Sequence, residues 1–393
     1  MQRITDEERR ARLGVRHRLA KASRAPDVVD VARDLVGLHA TDPATVYLSA
    51  RARVRRPDAL VTDLEAALYD DRTLVRVLGM RRTMFVEPVE LVPVLKAGCT
   101  DAMVAAQRKR LVTMLDAQGV ASDPARWLRR VERATLAEIE RRGAATGAEL
   151  GKAVPGLDLK LRVGEGKTWG GDIGVSTRVL FLLATEQHIV RGRPLGSWTS
   201  SQYRWSPMDA WLPDGLPALS TADARAELVR RWLASFGPAT TADVKWWTGW
   251  SVAATKTALA AVDAVEVALD DGEGWVLPGD EARVRTPRPW VALLPSLDPT
   301  TMGWRDRSWY LGDLGAQLFD RNGNAGPTIW ADGRIVGGWA QRRTGEVVHE
   351  VLVDVGRDVT ETIEAAVAEL ERWLGSTRVL PRFPTPVQRR LTA

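Results

Sequence analysis

Three observations point to an α+β chain in which a helix-turn-helix followed by a β-hairpin occurs three times, ahead of a small C-terminal β domain. The first quarter of the chain alternates helical and strand-like periodicity in the order that such a unit requires. An eight-residue motif recurs, GAATGAEL at 143–150 and GPATTADV at 237–244. From about Thr286 the composition shifts to Gly, Trp and short β-like runs. A helix-turn-helix with a hairpin is the pattern of a winged helix. The sequence therefore predicts winged-helix units at 1–88, 126–215 and 216–285, a helical spacer at 89–125, and a C-terminal β domain with a terminal helix at 286–393.

The elements follow in order. Residues 27–39 carry Val28, Val31, Ala32, Leu35 and Val36 at helical spacing and predict one helix. Asp42 and Pro43 read as an N-cap with proline at the first helical position, opening a helix over 43–53. A third helix is predicted near 58–70, then strands at 73–78 and 83–86 joined by the basic tip Gly79-Met80-Arg81-Arg82. In each copy of the repeat a Thr followed three residues later by Glu or Asp is close to a capping box. After the first copy come a helix at 176–187 and strands at 188–191 and 197–205. After the second come a helix at 252–262 and strands at 265–269 and 275–277. In the tail, strands are predicted at 290–294, 327–330, 334–341 and 347–353. Asp332-Gly333 and Thr344-Gly345 supply turns, and a helix follows over 358–374.

Composition narrows the function. The chain has 393 residues and a formal charge of +5; hydrophobic residues make up 45% and charged residues 27%, which excludes a disordered chain. No run of eighteen apolar residues is present, so no membrane span is expected. The opening MQRITDEERRARLGVRHR lacks the apolar stretch of a secretory signal, and the cytoplasm is the expected compartment. The single Cys99 excludes a disulfide framework or a cysteine-based zinc site. The four His show no metal-ligand spacing, so neither metal nor cofactor is expected. The segment 164–168, GEGKT, lacks the spacing of a phosphate loop and reads as a flexible loop. Of the basic residues 47 are Arg and 8 are Lys. That excess suits phosphate recognition, and the coding bias of a GC-rich genome explains it equally well. Most of the 16 Trp are expected in the core, with base stacking as the other use.

Winged helices bind nucleic acid or proteins, and local charge decides between these. Arg51 and Arg53 close the second helix of the first unit, and Arg81 and Arg82 form its hairpin tip. Arg191, Arg193 and Arg204 flank the hairpin of the second unit, with Trp198 and Tyr203 interleaved. Arginines beside small and aromatic residues on a hairpin suit insertion into a DNA groove. The alternative is a solvated basic hairpin without a partner. His39-Ala40-Thr41-Asp42 gathers polar groups at a helix junction. His39 is expected in the last helical turn, where the macrodipole favours its protonated form. Asp42 is most simply an N-cap.

Around that cluster the chain resembles the AlkZ/YcaQ-type winged-helix DNA glycosylases. The resemblance rests on LVGLHATDPATVYLSARAR (35–53), MRRTMFVEP (80–88), RGRPLGSWTSSQYRW (191–205), LLPSLDPTTMGWRDR (293–307) and GNAGPTIWADGRIVGGWAQRRTGEV (323–347). It implies three tandem winged helices and a C-terminal β domain, and excision of alkylated purines or unhooking of interstrand crosslinks without a cofactor. The family's catalytic Gln-x-Gln or Gln-x-Asp falls on His39-Ala40-Thr41, and some relatives carry His at its first position. The resemblance thus implies that His39 positions or deprotonates a water, that Thr41 orients it, and that Asp42 supplies negative charge. It also implies that the 191–205 hairpin enters the minor groove while Arg51, Arg53, Arg81 and Arg82 hold phosphates. Double-stranded DNA is the expected partner, and a monomer the expected state. Two other readings stay open: a catalytically inactive winged-helix DNA-binding protein acting as lesion sensor or regulator, and a protein-interaction scaffold.

Overall fold

The computed structural model describes residues 1–164, 166, 170–380 and 384–393. Glu165, Lys167 and Thr168 of the GEGKT segment lie outside the described residues. The helix Val28–Asp34 starts on Asp27, whose carboxylate accepts the Asp30 N–H at 2.9 Å. It does not run to His39 as the periodicity predicts. Val36 and Gly37 turn left-handed at φ 49° and 97°, and the chain emerges as a strand, Leu38–His39. A Cβ on Gly37 would lie 2.1 Å from the Glu87 carboxylate, so the break needs glycine for space as well as for φ. Asp42 then caps Pro43–Arg51, with proline in the first turn as expected. The helix Leu60–Glu65 winds on through Ala66–Asp70 into the first hairpin, Leu74–Leu78 and Met84–Pro88.

The same order of elements occurs three times. In the first segment Leu38–His39 pairs with the second hairpin strand, Met84–Pro88. In the next, the helix Pro124–Arg142 leads to Ala145–Thr146, which pairs with Tyr203–Pro207 of the hairpin formed with Ile189–Pro194. In the third, Thr221–Phe236 leads to Ala239, which bridges Trp275 in the hairpin Val265–Leu269 and Gly272–Val276. A left-handed non-glycine residue lies two positions before each hairpin: Arg72 at φ 55°, Gln187 at 64° and Asp263 at 51°. The helices Gly147–Ala153 and Thr241–Thr248 both open with complete capping boxes, Thr146 with Glu149 and Thr240 with Asp243.

Two departures concern the second segment. A hairpin not foreseen from sequence, Lys160–Val163 with Gly171–Gly174, sits between its last two helices. The strand predicted at 197–205 begins only at Tyr203. Residues 196–202 form instead a broad loop that returns Trp198 to the core, 4.8 Å from the Tyr47 ring and 5.8 Å from Trp373. The C-terminal part is a four-stranded antiparallel sheet in sequence order, Val291–Leu294, Thr328–Ala331, Arg334–Gln341 and Val347–Val351, covered by Arg357–Leu374. A further helix, Pro386–Thr392, follows near the end of the chain.

Two large cores result. One joins the first and third segments to the C-terminal sheet. The other holds the second segment and Leu111 and Leu115 of the helix Asp101–Ala117. Tryptophans serve mainly as core: Trp232, Phe236, Trp304, Tyr310 and Trp330 form a chain of ring contacts from the third segment into the sheet. Among the described residues no helix is long and apolar enough to cross a membrane.

Candidate active site and nucleic-acid interface

Strand pairing puts the polar cluster on a common footing with its sister segments. His39 lies opposite Phe85, Ala145 opposite Trp205, and Ala239 opposite Trp275. In the second and third segments the capping Thr follows that alanine directly. In the first, Ala40 and Thr41 intervene before the cap at Asp42. The inserted Ala40 is pinned on both sides: its N–H donates to Met84 O at 2.7 Å, and Arg76 Nη1 donates to its carbonyl at 3.1 Å. Thr41 is left exposed at the turn.

His39 occupies a strand position and is only 7% exposed. Its ring meets Phe85 edge-on at 5.7 Å, and its Nδ1 has no hydrogen-bond partner. Burial, reinforced by the Arg81 charge, pushes its pKa down to about 3. The expectation of a protonated imidazole at a helix end is therefore corrected. No helix C-terminus is there, and the ring is neutral.

A cavity of about 250 Å³ opens over the next two residues. Thr41 and Asp42 form one wall, and Thr199 and Ser201 of the second hairpin's loop another. Asp320 and Asn324 come from the C-terminal part. Asp42 lines the cavity while its carboxylate accepts the Ala44 N–H at 3.0 Å, so capping and facing the cavity are compatible. Burial works against ionisation of Asp320, but the Asn324 N–H at 2.9 Å, the Asn324 amide at 3.0 Å and the Asn322 N–H at 2.8 Å outweigh it. Its pKa falls below the ordinary carboxylate value. Two carboxylates thus face the cavity, and among the described residues no Lys or Arg lines it. His39 lies outside the lining. Sequence reading missed Asp320. Its local signal is an Asp followed by Asn at the second and fourth positions, a turn that tethers a carboxylate to its own loop.

The expected DNA-binding residues separate into two groups. Arg53 is fully buried, bidentate to Asp298 at 2.6 and 2.9 Å, and bonded to the carbonyls of His17 and Ser49. It is a structural ion pair and cannot reach a phosphate. Trp198 and Tyr203 are buried, which corrects their expected groove insertion. Arg51 pairs with Glu369, Arg193 with Glu65 and Asp70, and Arg204 with Glu149. Arg81, Arg82 and Arg191 have no carboxylate partner among the described residues. Arg81 stacks 3.9 Å over Trp246 of the third segment. Two further unpaired arginines escaped sequence reading because they come from separate helices. The Arg178 pKa is lowered by burial and then by the charges of Arg110 and Arg82, which brings three elements into one basic patch. Among the described residues no group of three His, Cys, Asp or Glu gathers as a metal site.

A family model described as DNA glycosylase AlkZ-like matches residues 32–373. The fold is similar to that of Streptomyces sahachiroi DNA glycosylase AlkZ, with a TM-score of 0.70 and 18% identity over 95% of this chain and 98% of that one. No curated protein sequence matches the chain. The match takes in the polar cluster, the three hairpins and the whole C-terminal sheet, and the chain belongs to the AlkZ-like DNA glycosylase family.

Proposed function

We propose that the protein is a monofunctional DNA glycosylase that excises alkylated purines, or unhooks crosslinks made through them, by hydrolysing the N-glycosidic bond. The three repeated segments are, in this reading, winged-helix units with the boundaries expected from sequence, acting as a monomer on duplex DNA. The observation that carries the proposal is the cavity with Asp42 and Asp320 in its walls. A purine alkylated at N7 or N3 is cationic and a good leaving group, and its departure leaves a sugar with oxocarbenium character. Fixed negative charge favours both species over a neutral purine. Thr41 can hold the attacking water through its hydroxyl, and Asp42 can take the proton. His39 is buried and lies outside the cavity lining, so it does not reach that water and serves as a positioning residue behind the motif.

Excision from a duplex carrying one N7-methylguanine tests this. Wild type is expected to release the base. Asp42→Asn is expected to lose on the order of 10²–10⁴-fold in single-turnover rate, as is usual for a general base. Asp320→Asn is expected to lose rate on the cationic base with little change in affinity for undamaged duplex. One observation favours the second reading: neither His39 nor Thr41 is a competent base. Tight duplex binding by wild type without release, from this lesion or from a nitrogen-mustard crosslink, would establish a catalytically inactive DNA-binding protein.

A further inference from the structure

A second cleft, of about 400 Å³, lies on the other side of the motif, between the first hairpin and the helix Val175–Thr185. Arg76 on the first hairpin and Arg191 on the second line it, together with Ser176, Thr177 and Trp205. Apart from Thr185, whose hydroxyl donates to the Phe181 carbonyl, its remaining walls are apolar. Arg76 is 3% exposed, and its Nε has no partner. Its Nη1 donates to the Ala40 carbonyl at 3.1 Å, and its guanidinium lies 4.9 Å over the Tyr203 ring and beside Tyr69. Arg191 lies 5.3 Å over the Trp205 ring and 5.5 Å over Tyr203. Neither guanidinium has a carboxylate partner among the described residues, whereas Arg193, two residues on, is held by Glu65 and Asp70. The two guanidinia share the Tyr203 ring and line one cleft, and burial, then the charge of Arg76, lowers the Arg191 pKa. Two such groups in an apolar cleft are costly unless an anion joins them. The helix end adds little, because its first two N–H groups already serve the carbonyls of Leu159 and Leu157.

We propose that this cleft is an anion site that takes one phosphodiester of the DNA strand, bridged by Arg76 and Arg191 with the hydroxyls of Ser176 and Thr177 at its rim. The proposal rests on the duplex-binding part of the reading above, not on excision, and extends it to a site away from the carboxylate cavity. Because Arg76 also holds Ala40, a phosphate seated here would fix the polar turn relative to the strand.

The test is equilibrium binding of an undamaged duplex over a range of salt, for wild type, Arg191→Gln and the double variant Ser176→Ala with Thr177→Ala. Thermal melting confirms that each variant is folded. Arg191→Gln is expected to bind several-fold more weakly and to lower the slope of log K against log[salt] by about 0.9, the loss of one phosphate contact. The hydroxyl variant is expected to weaken binding with a smaller change in slope. Unchanged affinity and slope in folded Arg191→Gln would overturn the proposal, as would failure of wild type to bind duplex. Titration with inorganic phosphate separates a strand from a free anion. Phosphate that raises the melting temperature of wild type but not of Arg191→Gln, with equal DNA affinity in both, would assign the cleft to a free anion and also overturn it. Excision is not the readout, so a wild type that binds DNA without cleaving would sink the glycosylase reading and leave this one standing.

Discussion

His39 and Glu87 sit on paired strands and are held neutral by the same cause, yet they act on stability in opposite directions. The His39 pKa is about 3 when folded, against about 6.5 in the unfolded chain. Between those values the unfolded chain binds a proton that the folded protein does not, so stability is lost as pH falls through that window. His17, also buried and lowered, adds to the same slope. Glu87 is fully buried with neither carboxylate oxygen bonded; burial, opposed by Arg231 and aided by Glu90, raises its pKa well above the ordinary value. Its contribution is lost as pH rises past the unfolded value near 4.5. His39→Gln is therefore expected to flatten the fall in melting temperature between pH 7 and pH 4, and Glu87→Gln to raise the melting temperature at neutral pH more than at pH 4. Melting curves across pH check both, and parallel curves for wild type and variants would refute the assignments.

At the scale of the element, one sequence signal meets two environments. The capping boxes Thr146/Glu149 and Thr240/Asp243 look alike in the chain. Glu149 is 39% exposed and near Arg204. Asp243 is fully buried, and its other oxygen accepts the N–H groups of Arg305 at 2.9 Å and Asp306 at 3.1 Å. Glu149→Ala should thus cost little, because Thr146 remains to cap the helix and the carboxylate is exposed. Asp243→Ala should cost about 3 kcal/mol or more, because it also strands two N–H groups; urea unfolding of the two variants decides, and equal losses would count against this account. Local signals of this kind were legible: both boxes, the cap at Asp42, the three hairpins and the order of the C-terminal strands all follow from residues close in sequence. What escaped reading depends on distant partners. The helix before His39 stops early because Gly37 must pass the Glu87 carboxylate. Trp198 looked like a groove-reader because nothing within the hairpin reveals Tyr47 and Trp373. Arg53 looked like a phosphate ligand because Asp298, 245 residues away, is its partner. Asp320 was invisible for the same reason: the motif's other wall belongs to the far end of the chain.

At the scale of the whole molecule, that same ion pair decides how the chain comes apart. Asp298 accepts two bonds from Arg53, one from the Ser49 hydroxyl at 2.6 Å and one from the Thr300 N–H at 2.9 Å, with no solvent at any of them. Thr300 in turn meets Arg53 Nη2 and His17 Nδ1, both at 2.8 Å. The network ties the helix that follows the polar turn to the loop between the first two strands of the C-terminal sheet, inside the core that those regions share with the third segment. The second segment has its own core, from Leu111 to Ile189, outside that network. Removing one partner of a buried pair leaves the other charge unpaired, at a cost of about 3–5 kcal/mol. Asp298→Ala is expected to lower the opening free energy of amides in the Pro43–Arg51 helix and the Arg334–Gln341 strand together by about that amount. Amides of the Val175–Thr185 helix should keep theirs. Native-state hydrogen exchange measures all three at once. A uniform drop would mean that the molecule unfolds as one unit and that the second core has no independence. A drop confined to the first and C-terminal parts would mean that the second core opens independently of the core that holds the polar turn, with the hairpin residues Val190 and Trp198 as the joint between them.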